Sequence, residues 1–360
     1  VNEQQRYVDI HRPDGIPDIL QYIEHGVLNL LAQSEQIGHM SQALSNSVLD
    51  NYHHLGDAAA ITDGRMYDPN LKPYEISKDG LSSGVPDDMW AFTDRNPYVD
   101  INAANVFLSA ARALRDFNPD LVKRLLHEWD RLRANAEKLI AQKKGKVSSD
   151  ITSYLQLYIA TGKEQYRHDF LNNIWEAMEK RTNSSIMTAL EAVPYMDNEY
   201  SEKLKPYIIR YKDYLDSFDK DNPYGVPIGR SNWAGNGDII SFGTIVVFAS
   251  LYYPDIIGPE YAYKTANWLY GCHPYHNYSF VATLGATHPK QVFYGNNRAD
   301  FSFIPGNVAP GVLFRNPDHF ENFDDWPFLW GQNEGTTIVN VGYLIFGYGF
   351  QQLIASLNNK

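Results

Sequence analysis

Pro17-Asp18-Ile19-Leu20-Gln21-Tyr22-Ile23-Glu24-His25-Gly26-Val27-Leu28-Asn29-Leu30-Leu31 decides how the chain is read. Its apolar residues Ile19, Leu20, Ile23, Val27, Leu28 and Leu31 recur at three- and four-residue steps, which puts them on one face of a helix. Pro17 stands in the first turn, where the missing N–H has no intrahelical partner to lose. The spacing predicts a helix over about 17–36 with an aliphatic stripe facing a core.

The same period recurs along the rest of the chain. Ile101 to Phe117 is rich in small residues (Ala103, Ala104, Ala110, Ala111, Ala113), which suits close helix packing. Asn118-Pro119-Asp120 opens a helix to about Ala141, with Leu121, Leu125, Leu126, Trp129 and Leu132 on one face. Further helices are predicted at about 149–161, 163–181, 184–196, 200–218, 237–253 and 259–270, and a last one at about 335–357. That gives about ten helices, mostly with short connections, and no sustained strand alternation. The class is all-α. Successive helices of similar length suggest a toroid of helical hairpins, with helices alternating between inner and outer rings. No Ser/Gly linker or low-complexity tract divides the chain, so one domain is expected over 1–360. Two connections are long, Gly38 to Pro97 and Cys272 to Asn333, and long loops inside compact domains usually carry function.

Composition narrows the partners. A net charge of −12 and a pI near 5.3 argue against nucleic acid or an anionic membrane as the main partner. No stretch is expected to reach the ~18 apolar residues of a membrane span. Tyr, Phe and Trp number 25, 17 and 7, a load most of which a core rich in aromatics would take up, while any rings exposed in clefts are of the kind that commonly bind glycans or aromatic ligands. Cys272 is the only cysteine, so there is no intrachain disulfide and no cysteine-based zinc site. It lacks a thiol-activating neighbour in sequence and reads as a packing residue.

Candidate chemistry lies in the two long connections and at the head of the last helix. Asp325-Trp326-Pro327-Phe328-Leu329-Trp330-Gly331-Gln332-Asn333-Glu334 sets one acid among aromatic rings. Apolar surroundings raise a carboxyl pKa, as a general acid requires, while a glutamate there is also favoured simply by the helix dipole. Tyr294-Gly295-Asn296-Asn297-Arg298 offers a guanidinium whose five fixed donors suit several hydroxyls at once, or a loop tie to backbone carbonyls. Tyr52-His53-His54-Leu55-Gly56-Asp57, with Asp63, Asp68, Asp87 and Asp88, reads as polar cleft lining or as a metal cluster. Trp90 and Trp233 are candidate sugar platforms, and each fits a core position as well. There is no glycine-rich phosphate loop, no GxSxG elbow and no HExxH motif.

Taken in order, these segments resemble family 9 glycoside hydrolases, the (α/α)6-barrel cellulase group. His11-Arg12-Pro13-Asp14-Gly15-Ile16-Pro17-Asp18-Ile19-Leu20 is similar to that family's "IPDLLDE" helix start. Trp90-Ala91-Phe92-Thr93 and the Ala-rich helix resemble its next block. Trp268-Leu269-Tyr270-Gly271-Cys272-His273-Pro274 resembles "YxLGxNP", and Ser279-Phe280-Val281 resembles "SYV". Tyr294 to Arg298 stands where the family has "P-x-HHR", and Gln332-Asn333-Glu334 where it has "DNE".

The resemblance implies an inverting hydrolase of β-linked glucan (cellulose, xyloglucan or mixed-linkage type). Glu334 would be its general acid, and Arg298, Tyr294, Asn297, His54, Trp90, Trp233 and Trp330 would line the substrate. Inversion needs a second carboxyl about 6.5–9.5 Å away to activate water. It further implies a secreted, periplasmic or cell-surface bacterial polysaccharide degrader with no organic cofactor. Calcium occurs in the family, although no ligand run here has EF-hand spacing.

The departures are specific. The family's base lies in a "DAGD" motif that does not occur in these residues, and Asp14 and Asp18 have the wrong spacing. With about ten helices against the barrel's twelve, the expectation is an incomplete barrel whose partner is a further N-terminal segment of the same protein. Asn296 and Asn297 replace the paired histidines, and Gln332 replaces an acid beside Glu334. A non-catalytic glycan binder on the same barrel is the alternative. A helical-toroid lyase or epimerase with His54 or Tyr294 as base is a further one.

Overall fold

The structure is a computed structural model and describes residues 1–3, 8–10, 13–46, 63–142, 151–229, 232–272, 276–289, 304–315, 320–322 and 334–358. Nine α-helices and seven short strands lie among these residues. The chain divides into two compact units, with the boundary of their long segments between Asn173 and Ile174.

The first unit holds α1 (Asp18–Ile37), α2 (Pro97–Ala113), α3 (Pro119–Gln142), α4 (Ile151–Thr161) and the start of α5 (Glu164–Ala192). Helix starts are fixed by short polar side chains. The Asn96 carbonyl accepts from Tyr98 N at 3.1 Å with Pro97 behind it, and Asn118 does the same for Leu121 N at 3.1 Å beside Pro119. Asp14 accepts from Ile16 N and from the Gln21 amide, closing the turn that leads into α1. Gly38, at φ 84°, ends α1 in the left-handed conformation.

The predicted stripe is the core. Val27 and Leu31 of α1 pack with Phe107, Ala110 and Ala111 of α2 and with Leu121, Leu125 and Leu132 of α3. Each fully buried Leu or Phe contributes about 1.5–3 kcal/mol. Charged groups join them, among them Asp100 of α2, which accepts from Met40 N at 2.8 Å. Glu128 of α3 is buried and bonds Arg131 and the Ser34 hydroxyl, while Arg131 donates to Gly38 O at 2.8 Å and Ser34 O at 2.6 Å. This ties the C-terminal end of α1 to α3. Burial works to raise the Glu128 carboxyl, but bonds from Arg131 and Ser34 outweigh it and hold it below the usual range.

Between α1 and α2 lie β1 (Leu44–Asn46), β2 (Met66–Tyr67), β3 (Ser82–Ser83) and β4 (Met89–Ala91). β1 and β4 pair antiparallel, with Ser45 opposite Trp90, and β2 pairs parallel with β3.

The second unit holds the rest of α5, α6 (Asn198–Asp221), α7 (Asn236–Tyr252), α8 (Glu260–Leu269) and α9 (Thr337–Asn358). Arg181 in α5 has φ −150° and ψ 59°, so the helices predicted at 163–181 and 184–196 meet there as one kinked element. α7 lies against both α8 and α9. Gly243 of α7 permits this: a methyl there would lie 2.5 Å from Thr265 Cγ2 of α8 and 2.8 Å from Phe346 of α9. A three-stranded antiparallel sheet joins β5 (Trp233–Gly235), β6 (Gly311–Arg315) and β7 (Phe320–Asn322), with β6 in the middle. Strands of two to five residues fall below what alternation can reveal, which is why none was predicted.

One expectation needs correction. α9 has 22 residues with no charged side chain, so by length and composition it is apolar enough to cross a membrane. Its Val339, Phe346 and Leu353 are buried where it packs along α7, while Ile338, Leu344, Ile345 and Tyr348 are exposed among the described residues.

Candidate functional site

Glu334 lies three residues ahead of α9 and is half-buried. The helix start beside it is held by Asn340. That side chain donates to Thr336 O at 3.0 Å and to Asn307 Oδ1 at 2.9 Å, and accepts from Val308 N at 2.9 Å. Both ends of one amide are therefore engaged, and the first turn of α9 is fastened to the 307–308 segment.

That segment is fastened in turn to the ends of two other helices. Ala309 N donates to Phe280 O at 2.8 Å, Ala282 N to Asn307 O at 2.8 Å and Phe280 N to Leu269 O, at the end of α8, at 2.9 Å. Asn236, the fully buried first residue of α7, donates through Nδ2 to Ala309 O and through its backbone N to Pro310 O, both at 2.6 Å. Its Oδ1 accepts from Trp268 Nε1 at 2.7 Å. The start of α7, the end of α8 and the start of α9 thus meet on one framework of backbone and amide bonds.

An aromatic cluster lies beneath it. Trp268 stacks on Phe280 at 5.2 Å and meets Tyr224 edge-on at 4.9 Å and Phe314 at 5.6 Å. Ser279-Phe280-Val281, singled out in the sequence, is wholly buried, and the Ser279 hydroxyl bonds the carbonyls of Leu269 and Val281. These residues form part of the buried support beneath the framework. Tyr270 and Tyr343 share a hydrogen bond of 3.0 Å between α8 and α9, and burial pushes the Tyr343 hydroxyl well above its usual range.

Trp233 belongs to the same unit. It is half-buried in β5 with its indole against Gly235 and Gly311. Trp90 belongs to the first unit and is 65% exposed, so it is no core residue. Arg298, Tyr294, Asn297, His54 and Trp330 lie outside the described residues, as do Asn296, His53, Asp57 and Gln332.

Asp63 and Asp68 close local turns, while Asp87 and Asp88 tie their segment to the chain near residues 63 and 67. They accept from the backbone N–H groups of Arg65 (2.8 Å), Asn70 (2.9 Å), Asp63 (2.6 Å) and Tyr67 (2.8 Å) respectively. A bond from Ser83 holds the Asp63 carboxyl below its ordinary value. Among the described residues no three His, Cys, Asp or Glu side chains gather as a metal site. Cys272 is exposed, which corrects its reading as a packing residue, because it falls just past the end of α8.

Sequence reasoning missed Asn236 and Asn340. Their signal was available in part: Asn340 is a lone amide between Val339 and Val341 in an apolar helix, where a polar group needs partners.

No protein-family model and no curated protein matches the sequence. Solved structures do. AaCel9A in complex with cellobiose-like isofagomine superposes with a TM-score of 0.66 at 14% identity, over 96% of this chain and 67% of that one. The Bacteroides ovatus GH9 structure gives 0.63 at 17%, over 97% and 66%, and a metagenome-derived glycoside hydrolase family 9 endoglucanase gives 0.62 at 18%, over 97% and 65%. The fold is the (α/α)6 barrel of the family 9 glycoside hydrolases. The chain spans about two thirds of the length of these structures, and at such identities the likeness concerns fold.

Proposed function

We propose that the protein is an inverting glycoside hydrolase of β-linked glucan in which Glu334 is the general acid. The observation that carries the reading is the position of Glu334. It stands at the head of the last helix of a family 9 barrel, on a start fixed by Asn340, where the motif order places the family's acid. In this scheme Glu334 gives its proton to the glycosidic oxygen, and a second carboxylate across the sugar activates water about 6.5–9.5 Å away. Arg298 and Asn297 hold hydroxyls, and Tyr294, Trp330, Trp233, Trp90 and His54 line the subsites. The solved relative bound to a cellobiose-like isofagomine supports a glucan ligand, and exported action on polysaccharide fits such a substrate.

The test is Glu334→Gln in the intact protein, assayed on mixed-linkage glucan by release of reducing ends. A general acid contributes about 10²–10⁴-fold, so turnover should fall by that factor while binding of the glucan persists. Unchanged turnover removes Glu334 from the role. A second reading is favoured by Asn296-Asn297 and Gln332, which stand where the family has two histidines and an acid: a glycan-binding protein without hydrolysis. Calorimetric binding of cello-oligosaccharide with no hydrolysis by the unaltered protein would decide for it.

A further inference from the structure

α9 has an open face whose chemistry does not suit water. Its Val339, Phe346 and Leu353 recur at seven-residue steps on the side that meets α7. On the other side Ile338, Val341, Ile345 and Tyr348 follow at steps of three, four and three residues, with Leu344 beside them, and all five are between 48% and 82% exposed. Those steps draw one stripe about 15 Å long over three turns of helix. None of the 22 residues of α9 is charged. The exposed positions of the other long helices are: Asp120, Lys123, Asp130 and Lys138 on α3, and Glu199, Glu202, Lys203 and Asp213 on α6. A helix that is apolar all round is one that is covered all round, and a contiguous exposed apolar patch marks an interaction surface.

A helix is the partner whose shape fits. Steps of three and four residues form the ridges and grooves that receive another helix at a crossing angle of about 20°. The fold indicates where that helix comes from. An (α/α)6 barrel is a ring of six helical hairpins in which each helix has neighbours on both flanks, and nine helices, one of them kinked, occur among the described residues. α9 is the last of them in the chain, and the chain spans about two thirds of the length of the solved barrels on which it superposes. A second copy set on α9 would cover the stripe and leave both rings unclosed. A net charge of −12 works against an anionic lipid surface.

We propose that the open face of α9 docks an apolar helix of the same protein, supplied from outside residues 1–360, which closes the helical ring. The inference does not depend on the role of Glu334.

The test uses the protein expressed from its whole reading frame, with Cys272→Ser to remove the exposed native thiol. Tyr348→Cys on α9 and, as a control, Ile209→Cys on α6, where the side chain is 52% exposed, are labelled with a maleimide. The α6 position should react freely and the α9 position about a hundredfold more slowly, because a docked helix opens only by local unfolding. Ile338→Cys, at the other end of the stripe, gives the same comparison independently of Tyr348→Cys. Equal rates on α9 and α6 overturn the proposal. Photo-crosslinking from Ile345→benzoylphenylalanine, mapped by mass spectrometry, identifies the occupant. The crosslink should form within one chain, to a residue outside 1–360, with a yield independent of protein concentration. A crosslink between two chains, a crosslink to a residue within 1–360, or protection seen only with phosphatidylcholine vesicles overturns the proposal. So does a reading frame with no residues beyond these 360. Glu334→Gln should leave the labelling rates and the crosslink unchanged, which separates this inference from the catalytic one.

Discussion

Asn236→Ala tests whether the junction of α7, α8 and α9 rests on amide chemistry. The substitution deletes two bonds, Nδ2 to Ala309 O at 2.6 Å and Oδ1 from Trp268 Nε1 at 2.7 Å. Neither partner can turn to water, because Ala309 and Trp268 are each 1% exposed. An orphaned buried polar group costs about 1–3 kcal/mol, so two cost about 2–6 kcal/mol. That is a large share of an ordinary stability of about 5–15 kcal/mol. With about 2–4 °C per kcal/mol for a unit of this size, the midpoint should drop by roughly 10 °C. Asn236→Asp is the sharper variant. It keeps an acceptor for Trp268 but presents a carboxylate oxygen to the Ala309 carbonyl, so it should be no more stable than Asn236→Ala. The assay is urea unfolding followed by near-ultraviolet circular dichroism, to which the Trp268 cluster contributes. A loss below about 1 kcal/mol for Asn236→Ala, or native stability for Asn236→Asp, would refute the reasoning.

Four further outcomes are expected. Arg131→Met leaves Glu128 buried without its cation and should cost about 3–5 kcal/mol in the first unit, read by urea unfolding. The Glu128 carboxyl is held below its ordinary value, so its contribution is full above the unfolded value of about 4.3 and is lost as pH falls through the folded one; Glu128→Gln should flatten the acid limb of stability against pH. Gly243→Val should cost about 1–3 kcal/mol by forcing α7 away from Thr265 and Phe346, measured by thermal unfolding. Trp90→Ala should leave stability within about 0.5 kcal/mol, since the ring is exposed, while weakening glucan binding by about 1 kcal/mol, roughly fivefold by calorimetry.

The helical part of the fold was legible because burial on one helix face leaves a periodic trace. The helix predicted over 118–141 is Pro119–Gln142, and the stripe of Val27 and Leu31 is the core of the first unit. The kink at Arg181 was legible as two helices, but not their continuity, since a broken turn and a short loop look alike in sequence. The sheet was not legible. β5 and β6 pair Trp233 with Leu313, a contact between segments far apart in the chain, and neither strand is long enough to alternate.

The candidate site is a different matter. Nothing local to Glu334 separates a catalytic acid from a glutamate placed by the helix dipole; the proposal for it rests on the order of several weak motifs. What holds that glutamate's surroundings was hidden, because it consists of amides whose partners lie far away in sequence: Asn236 with Ala309 and Trp268, Asn340 with Asn307 and Val308. An amide is the side chain for such a junction. It supplies a donor and an acceptor from one planar group, so it can satisfy a carbonyl and an N–H from different segments at once. A carboxylate cannot donate, and a hydroxyl has a single proton to give. Both asparagines occur at the starts of helices that lie against each other, α7 and α9, so the 307–310 segment is tied to both helix starts. If Glu334 is the proposed general acid, its place three residues ahead of so fastened a helix start is what would hold it within the few tenths of an ångström that the role requires.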